Sequence, residues 1–275
     1  MSKHECVGSV RRMKAHNPTG VDAYKPAQIA ELVETSGVAK AHLSIVQTLT
    51  LAILAGVFIG FGGAAYTMVM TGVDPGFGPA RFLGGVVFSL GLILVVVGGA
   101  ELFTGNALMT IAAVDRKISM RDLLRNWGFV YLGNLVGAVA LVLACAASGL
   151  LEGPMGATAA AIANGKIDLS PTQAFMRGIL CNALVCLAVW LSFAARSVVG
   201  KVMAILWPIS TFVLLGLEHS IANMYLLPQG ALAGAKLGWS ATISNLFWVT
   251  VGNVVGGAGG VALAYRLAYL GKASD

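Results

Sequence analysis

A chain of 275 residues that is 57% hydrophobic and only 11% charged is not an ordinary soluble domain, in which roughly 25% of residues are charged. The net charge of +6 comes from basic residues flanking apolar runs, which marks one face of a membrane protein and argues against a nucleic-acid partner. The apolarity is uniform along the chain, so one all-α membrane bundle is expected, not two domains.

The chain opens with polar residues, Lys3, Arg11, Arg12, Lys14, Lys25 and Lys40 among them, and has no apolar segment of signal-peptide type. Within "PAQIAELVETSGVAKAHL", Ile29, Leu32, Val33 and Val38 recur at helical spacing. They predict an amphipathic helix on the membrane surface, stopped near Gly37. The organisation expected is a cytoplasmic tail over 1–42, a six-helix transmembrane domain over 43–270 and a short cytoplasmic tail over 271–275.

Uncharged stretches over 45–70, 82–114, 126–151, 178–195, 202–235 and 237–265 predict the spans. A helix crosses the hydrocarbon core in about 20 residues. The second and fifth stretches are too long, since about 33 residues would extend roughly 50 Å as a helix. Both carry a carboxylate near the middle, in "ELFTGNALM" from Glu101 and "EHSIANMYL" from Glu218. A helix interrupted midway accounts for both the length and the charge. Six spans place both termini on one side, and that side holds 14 of the 18 Lys and Arg residues, so both termini are expected in the cytoplasm.

The chain also repeats itself. "NWGFVYLGNLVGAVA" aligns with "NLFWVTVGNVVGGAG" through Asn126/Asn245, Val130/Val249, Gly133/Gly252, Asn134/Asn253, Val136/Val255 and Gly137/Gly256. Gly99/Gly216, Glu101/Glu218 and Asn106/Asn223 align at nearly the same offset, and "ILAG" over 53–56 matches "ILCN" over 179–182. Each half therefore has three spans with the middle one broken. Three is odd, so the second half is inverted, the architecture of many transport proteins.

A charge at bilayer depth costs at least about 2.5–3.5 kcal/mol and persists only with partners. Glu101 and Glu218 are expected to support the two breaks by accepting hydrogen bonds from freed backbone N–H groups, with Asn106 and Asn223 beside them. His219 has Leu102 as its counterpart, so symmetry does not require it, and imidazole exchanges protons near neutral pH. Thr104 lies where the second helix breaks, opposite His219 across the pseudo-twofold axis. Phe88, Leu92, Phe103, Val185 and Phe212 are apolar neighbours that form either core or constrictions along a pore. Gly84–Gly85, Gly98–Gly99, Gly256–Gly257 and Gly259–Gly260 offer small surfaces for helix packing. Cys6, Cys145, Cys181 and Cys186 give no disulfide framework and read as small hydrophobes.

"GGAELFTGNALM", "RGILCNALVCLAVW", "LEHSIANM" and "WVTVGNVVGG" together resemble the signature segments of the formate/nitrite transporter family, over roughly residues 20–270. The resemblance implies a homopentamer of aquaporin-like protomers, each with its own pore for small monovalent anions such as formate, nitrite or hydrosulfide. It implies that Thr104 and His219 form the pore centre, with Glu218 and Asn182 hydrogen-bonding around the histidine. Lys166 matches a vestibule lysine that attracts anions. Phe88 and Phe212 resemble a periplasmic constriction; Leu92, Phe103 and Val185 resemble a cytoplasmic one. "FSLGLIL", "LPQG" and the amphipathic start resemble formate channels, whereas "ELFTG" and "RGILCN" resemble nitrite channels as much.

The leading expectation is an inner-membrane channel or proton-coupled transporter for formate-sized anions, in contact with lipid and protons and needing no cofactor or metal. An intramembrane enzyme is the competing class, with Ser220 beside His219. Neighbouring residues on a helix point about 100° apart, however, and no G-x-S-x-G or H-E-x-x-H motif is present. A pore for water or glycerol is a third class; it needs neither His219 nor Lys166.

Overall fold

The computed structural model describes residues 23–271; the expectations for Cys6, the first basic residues and the last four positions fall outside them. The described residues form ten helices in two sets of five. The first set is α1 (Pro26–Ala41), α2 (Ile45–Val69), α3 (Gly78–Gly99), α4 (Gly105–Val114) and α5 (Met120–Ala147). The second is α6 (Gly153–Ile167), α7 (Pro171–Ala194), α8 (Val198–Leu214), α9 (Ser220–Leu232) and α10 (Trp239–Tyr269). The six spans are α2, α3 with α4, α5, α7, α8 with α9, and α10.

Local chemistry sets several boundaries. Ser44, Ser119 and Ser170 cap α2, α5 and α7, each accepting from the backbone N–H three residues on. The caps start α5 and α7 six or seven residues before the uncharged stretches begin, because the first turns reach out of the apolar zone and tolerate Arg121, Asp122 and Arg177. Helix α6 is an addition to the expected fold, lying between the predicted third and fourth spans.

Gly37 does not stop α1, which runs on to Ala41. A Cβ on Gly37 would stand 3.3 Å from the Met109 Cα, so this glycine serves the close docking of α1 on α4. Glu34 pairs with Lys117 on the α4–α5 connection, and Asp115 beside it pairs with Arg266 of α10 at 2.5 Å. Burial pushes the Glu34 carboxyl above its ordinary range, and the Lys117 ammonium acts against that shift.

Within each half the first and third spans touch backbone to backbone. A Cβ on Gly137 would lie 2.0 Å from the Ile53 carbonyl oxygen, and one on Gly256 would lie 2.1 Å from that of Ile179. Ile53 and Ile179 are themselves repeat counterparts. The half-helices after the breaks then cross over, α4 packing on α10 and α9 on α5, so each repeat completes the other. By contrast, Gly98, Gly99 and Gly259 meet nothing within 4 Å inside the protomer. Gly99 instead takes a φ of +87° at the first break.

Gly137→Ala and Gly256→Ala must force these spans apart, at a cost of about 1–3 kcal/mol each. Thermal unfolding in detergent should show both variants melting below wild type, with Gly165→Ala, where the added methyl meets open space, as the unaffected control. Equal melting temperatures for all would refute the contact.

Candidate functional site

The two breaks lie over 100–104 and 215–219, in the middle of the second and fifth spans, and each is held by the same hydrogen-bond network. Phe103 N donates to Asn134 Oδ1 at 3.0 Å, and Asn134 Nδ2 donates to the carbonyls of Ala52 and Glu101 at 2.8 and 2.9 Å. In the other half Ser220 N donates to Asn253 Oδ1 at 2.9 Å, and Asn253 Nδ2 donates to the carbonyls of Gly178 and Glu218 at 2.8 and 3.0 Å. The freed backbone groups are therefore satisfied by amides, not by Glu101 and Glu218 as expected. A neutral amide offers an acceptor and two donors, whereas an ionised carboxylate can only accept.

The two carboxylates have other partners. Glu101 accepts from Lys40 Nζ at 2.5 Å and from Asn106 Nδ2 at 2.6 Å; Glu218 accepts from Lys166 Nζ at 2.9 Å and Asn223 Nδ2 at 2.7 Å. Asn106 also donates to Asn126, and Asn223 to Asn245, at 2.9 and 2.8 Å. Each buried charge is thus paired and fully engaged, the condition for tolerating it away from water. Lys166 is correspondingly no free vestibule cation: its side chain is only 13% exposed and its charge is matched by Glu218.

His219 is the N-cap of α9. Its Nδ1 accepts from Ala222 N at 3.1 Å, and its Nε2 lies 2.8 Å from Thr104 Oγ1. An Nδ1 that accepts leaves the ring proton on Nε2, so the hydrogen-bond network assigns a neutral imidazole donating to the Thr104 hydroxyl. That hydroxyl keeps its own proton to offer elsewhere. Among the described residues neither the Glu218 nor the Asn182 side chain hydrogen-bonds the ring. Asn182 Nδ2 instead donates to the Thr104 and Asn253 carbonyls at 3.2 and 2.7 Å, tying the break to α10. Among the described residues no hydrogen bond joins His219 to Ser220, whose hydroxyl has no partner.

Two cavities approach this pair from opposite sides. One of about 520 Å³ is lined by Arg81, Phe88, Lys166, Arg177, Phe212, Glu218 and His219. The other, about 370 Å³, is lined by Lys40, Leu92, Glu101, Leu102, Asn106 and Lys201. Phe88 and Phe212 meet edge to face at 5.5 Å, and the Phe212 ring is 5.9 Å from the imidazole. Phe103 lines neither cavity. It packs on Tyr131 and Trp127 of α5 at 4.9 and 6.0 Å, and its neighbour Leu102 faces the cavity in its place. Val185 is buried in the same apolar cluster as Leu92 and Leu102 and lines neither cavity.

A two-repeat bundle with polar breaks meeting at Thr104 and His219 matches one family. The family model for formate/nitrite transporters covers residues 27–267. The chain belongs to the formate/nitrite transporter family. It is 40% identical to the formate channel FocA of Escherichia coli strain K12, over 94% of this chain and 98% of that protein. It is 39% identical to a probable formate transporter of Methanothermobacter thermautotrophicus, over 89% and 97% of the two chains. Among solved structures, a pentameric formate channel with formate bound superposes with a TM-score of 0.76 at 42% identity, covering 82% of this chain and 98% of that one. An ion channel of the family reaches a TM-score of 0.83 at 28% identity, covering 88% and 98%.

In this member of the family the repeat extends further than its spans. Lys40 and Lys166 stand 126 residues apart, the separation of Ile53 from Ile179, and both end the helix that precedes the first span of their half. Helices α1 and α6 are therefore counterparts, each delivering one ammonium to one break. Lys40, Asn134, Asn253 and Leu102 are the site residues that sequence reasoning missed. The constant 126-residue separation was the signal available for Lys40.

Proposed function

We propose that the chain is a formate channel of the cytoplasmic membrane, assembled as a homopentamer with one pore per protomer and both termini in the cytoplasm. One observation carries the reading: the 2.8 Å contact of Thr104 with His219 between two cavities walled by lysine–glutamate pairs and apolar side chains. The formate channels among the relatives supply the substrate, and the pentameric relative supplies the assembly. The excess of basic residues on the terminal side supplies the orientation.

In the proposed path an anion leaves bulk water in one cavity, loses hydration between Phe88 and Phe212, and meets the Thr104 hydroxyl. His219 polarises that hydroxyl through its Nε2–H. For proton exchange the ring takes a proton at Nδ1, releasing the Ala222 N–H. Its Nε2 proton passes to Thr104 Oγ1 as the hydroxyl proton moves to the anion. Water in the cavities supplies the proton taken at Nδ1; afterwards Nε2 regains a proton through the Thr104 hydroxyl and Nδ1 releases one to water, which restores the cap. Protonation therefore competes with capping of α9, and the charged ring is a transient species.

Labelled formate should enter proteoliposomes at a rate set by protein content, while glycerol stays near the rate of empty vesicles. Nitrite and hydrosulfide, measured alongside, rank the anions. Glycerol passing as fast as formate would overturn the reading. A C-terminal reporter active only in the periplasm would reverse the orientation, and a stable monomer or dimer in detergent would remove the pentamer.

A further inference from the structure

The two cavities flank the two breaks, and among the differences between their walls one falls on a pair of repeat counterparts. Arg177 of α7 has Leu51 of α2 as its counterpart, at the same 126-residue separation. The match is also geometric. The Arg177 carbonyl accepts from Glu218 N at 3.4 Å, and the Leu51 carbonyl accepts from Glu101 N at 3.2 Å. Each side chain lines the cavity of its own half. A leucine fills that position in the first repeat, so the fold does not require a guanidinium there.

Arg177 has company. Its Nη1 donates to the Gly216 carbonyl at 3.3 Å, and Arg81 Nη2 lies 2.4 Å from the point where a Gly216 Cβ would stand. Two guanidiniums from different spans thus flank one residue of the second break. Among the described residues neither is in an ion pair. Glu218, the one carboxylate on this cavity's wall, is occupied by Lys166 and Asn223. The cavity therefore carries two cations on its wall that are in no ion pair among the described residues, where the opposite cavity has the single ammonium of Lys201.

We propose that Arg81 and Arg177 form an outer docking subsite for a small planar oxyanion at the mouth of the Lys166 cavity, one that the opposite cavity lacks. The proposal rests on the anion-channel reading and adds an asymmetry to it. A guanidinium presents parallel N–H donors that match two oxygens on one centre, as in a carboxylate or nitrite. Hydrosulfide has one acceptor atom and gains only the charge. Entry from the Lys166 side saturates at lower formate concentration than entry from the Lys40 side.

The alternative role is capping: guanidiniums also stabilise the carbonyl end of a helix, here α8. Concentration-dependent flux in vesicles of known sidedness separates the two. Arg177→Leu, which reproduces the counterpart residue, should raise the formate half-saturation on the Lys166 side roughly three- to tenfold, the size expected for one charge-assisted contact at a wetted site. The maximal flux should change less, hydrosulfide half-saturation should change less than formate, and Leu51→Arg should lower half-saturation on the opposite side. Arg177→Lys should be intermediate. A lowered melting temperature with formate half-saturation unchanged would make Arg177 a helix cap and overturn the subsite alone. A wild-type protein with no saturable anion flux would overturn the channel reading and the subsite with it.

Discussion

Asn253→Ala is expected to lower the melting temperature in detergent by roughly 10 °C or more and to cut the yield of folded protein. The substitution strands the Ser220 N–H and the Glu218 carbonyl and removes a second bond to the Gly178 carbonyl, which keeps its helical partner. Each buried unsatisfied group costs about 1–3 kcal/mol, and a folded chain has only about 5–15 kcal/mol in total. At this size about 1 kcal/mol moves the midpoint by roughly 2–4 °C. Because Asn134 makes the same three bonds at the first break, Asn134→Ala should fall by a similar amount. Asn253→Asp keeps the acceptor for Ser220 N–H but loses both donated bonds and adds a charge, so it should not rescue. A wild-type melting temperature for either alanine variant would mean the breaks are held by something else.

Why were the breaks legible and their fastenings not? The stretches 82–114 and 202–235 were too long for one crossing and each held a carboxylate, so length and charge located the interruptions within a few residues. The repeat was legible because Asn134/Asn253 and Gly137/Gly256 must recur wherever the same backbone contact recurs. Yet the carboxylates drew attention to themselves as the polar groups at depth, and the asparagines read as mere matching letters. What decides between them is donor count, and that becomes visible only when the orphaned groups are known. Lys40 lies 61 residues from Glu101 in sequence, and helical periodicity says nothing about a contact of that range. The placing of Leu102 was hidden for a related reason. Through a non-helical break, successive side chains diverge to different sides, so Leu102 lines the cavity while Phe103 packs on α5. Helix α6 stayed hidden because "GPMGATAAAIANGKI" is small and apolar throughout, with no periodic stripe to separate it from a loop.

On the proposed reading the asymmetric residues carry the function, and the largest functional effect is expected at His219. The asparagine networks and the lysine–glutamate pairs that hold the breaks occur twice, whereas Thr104 and His219 occur once each. Symmetry therefore explains the scaffold and leaves this pair unaccounted for by packing. A formate ion squeezed past Phe88 and Phe212 has lost most of its hydration, and a hydrogen bond to a charged group contributes about 1.5–3 kcal/mol there. Loss of that contact slows passage roughly ten- to a hundredfold. His219→Phe removes the polarising Nε2–H and also the cap on Ala222 N, at a further cost of about 0.5–2 kcal/mol in α9. If proton exchange at the ring carries part of the flux, as proposed, formate uptake by wild type should rise as the pH falls from 8 to 5. In His219→Phe the uptake should lose most of that rise, while outward leak falls less. His219→Asn can still accept from Ala222 N and donate toward Thr104, so it should conduct with a flatter pH profile and near-normal stability. Thr104→Ala keeps the histidine but removes the hydroxyl that meets the anion, and should lose selectivity between formate and larger carboxylates. Flux in both directions across pH 5 to 8 for these variants decides the matter. If wild type and His219→Phe give the same pH profile, the imidazole only caps α9 and orients Thr104, and the proton reaches the anion by another route.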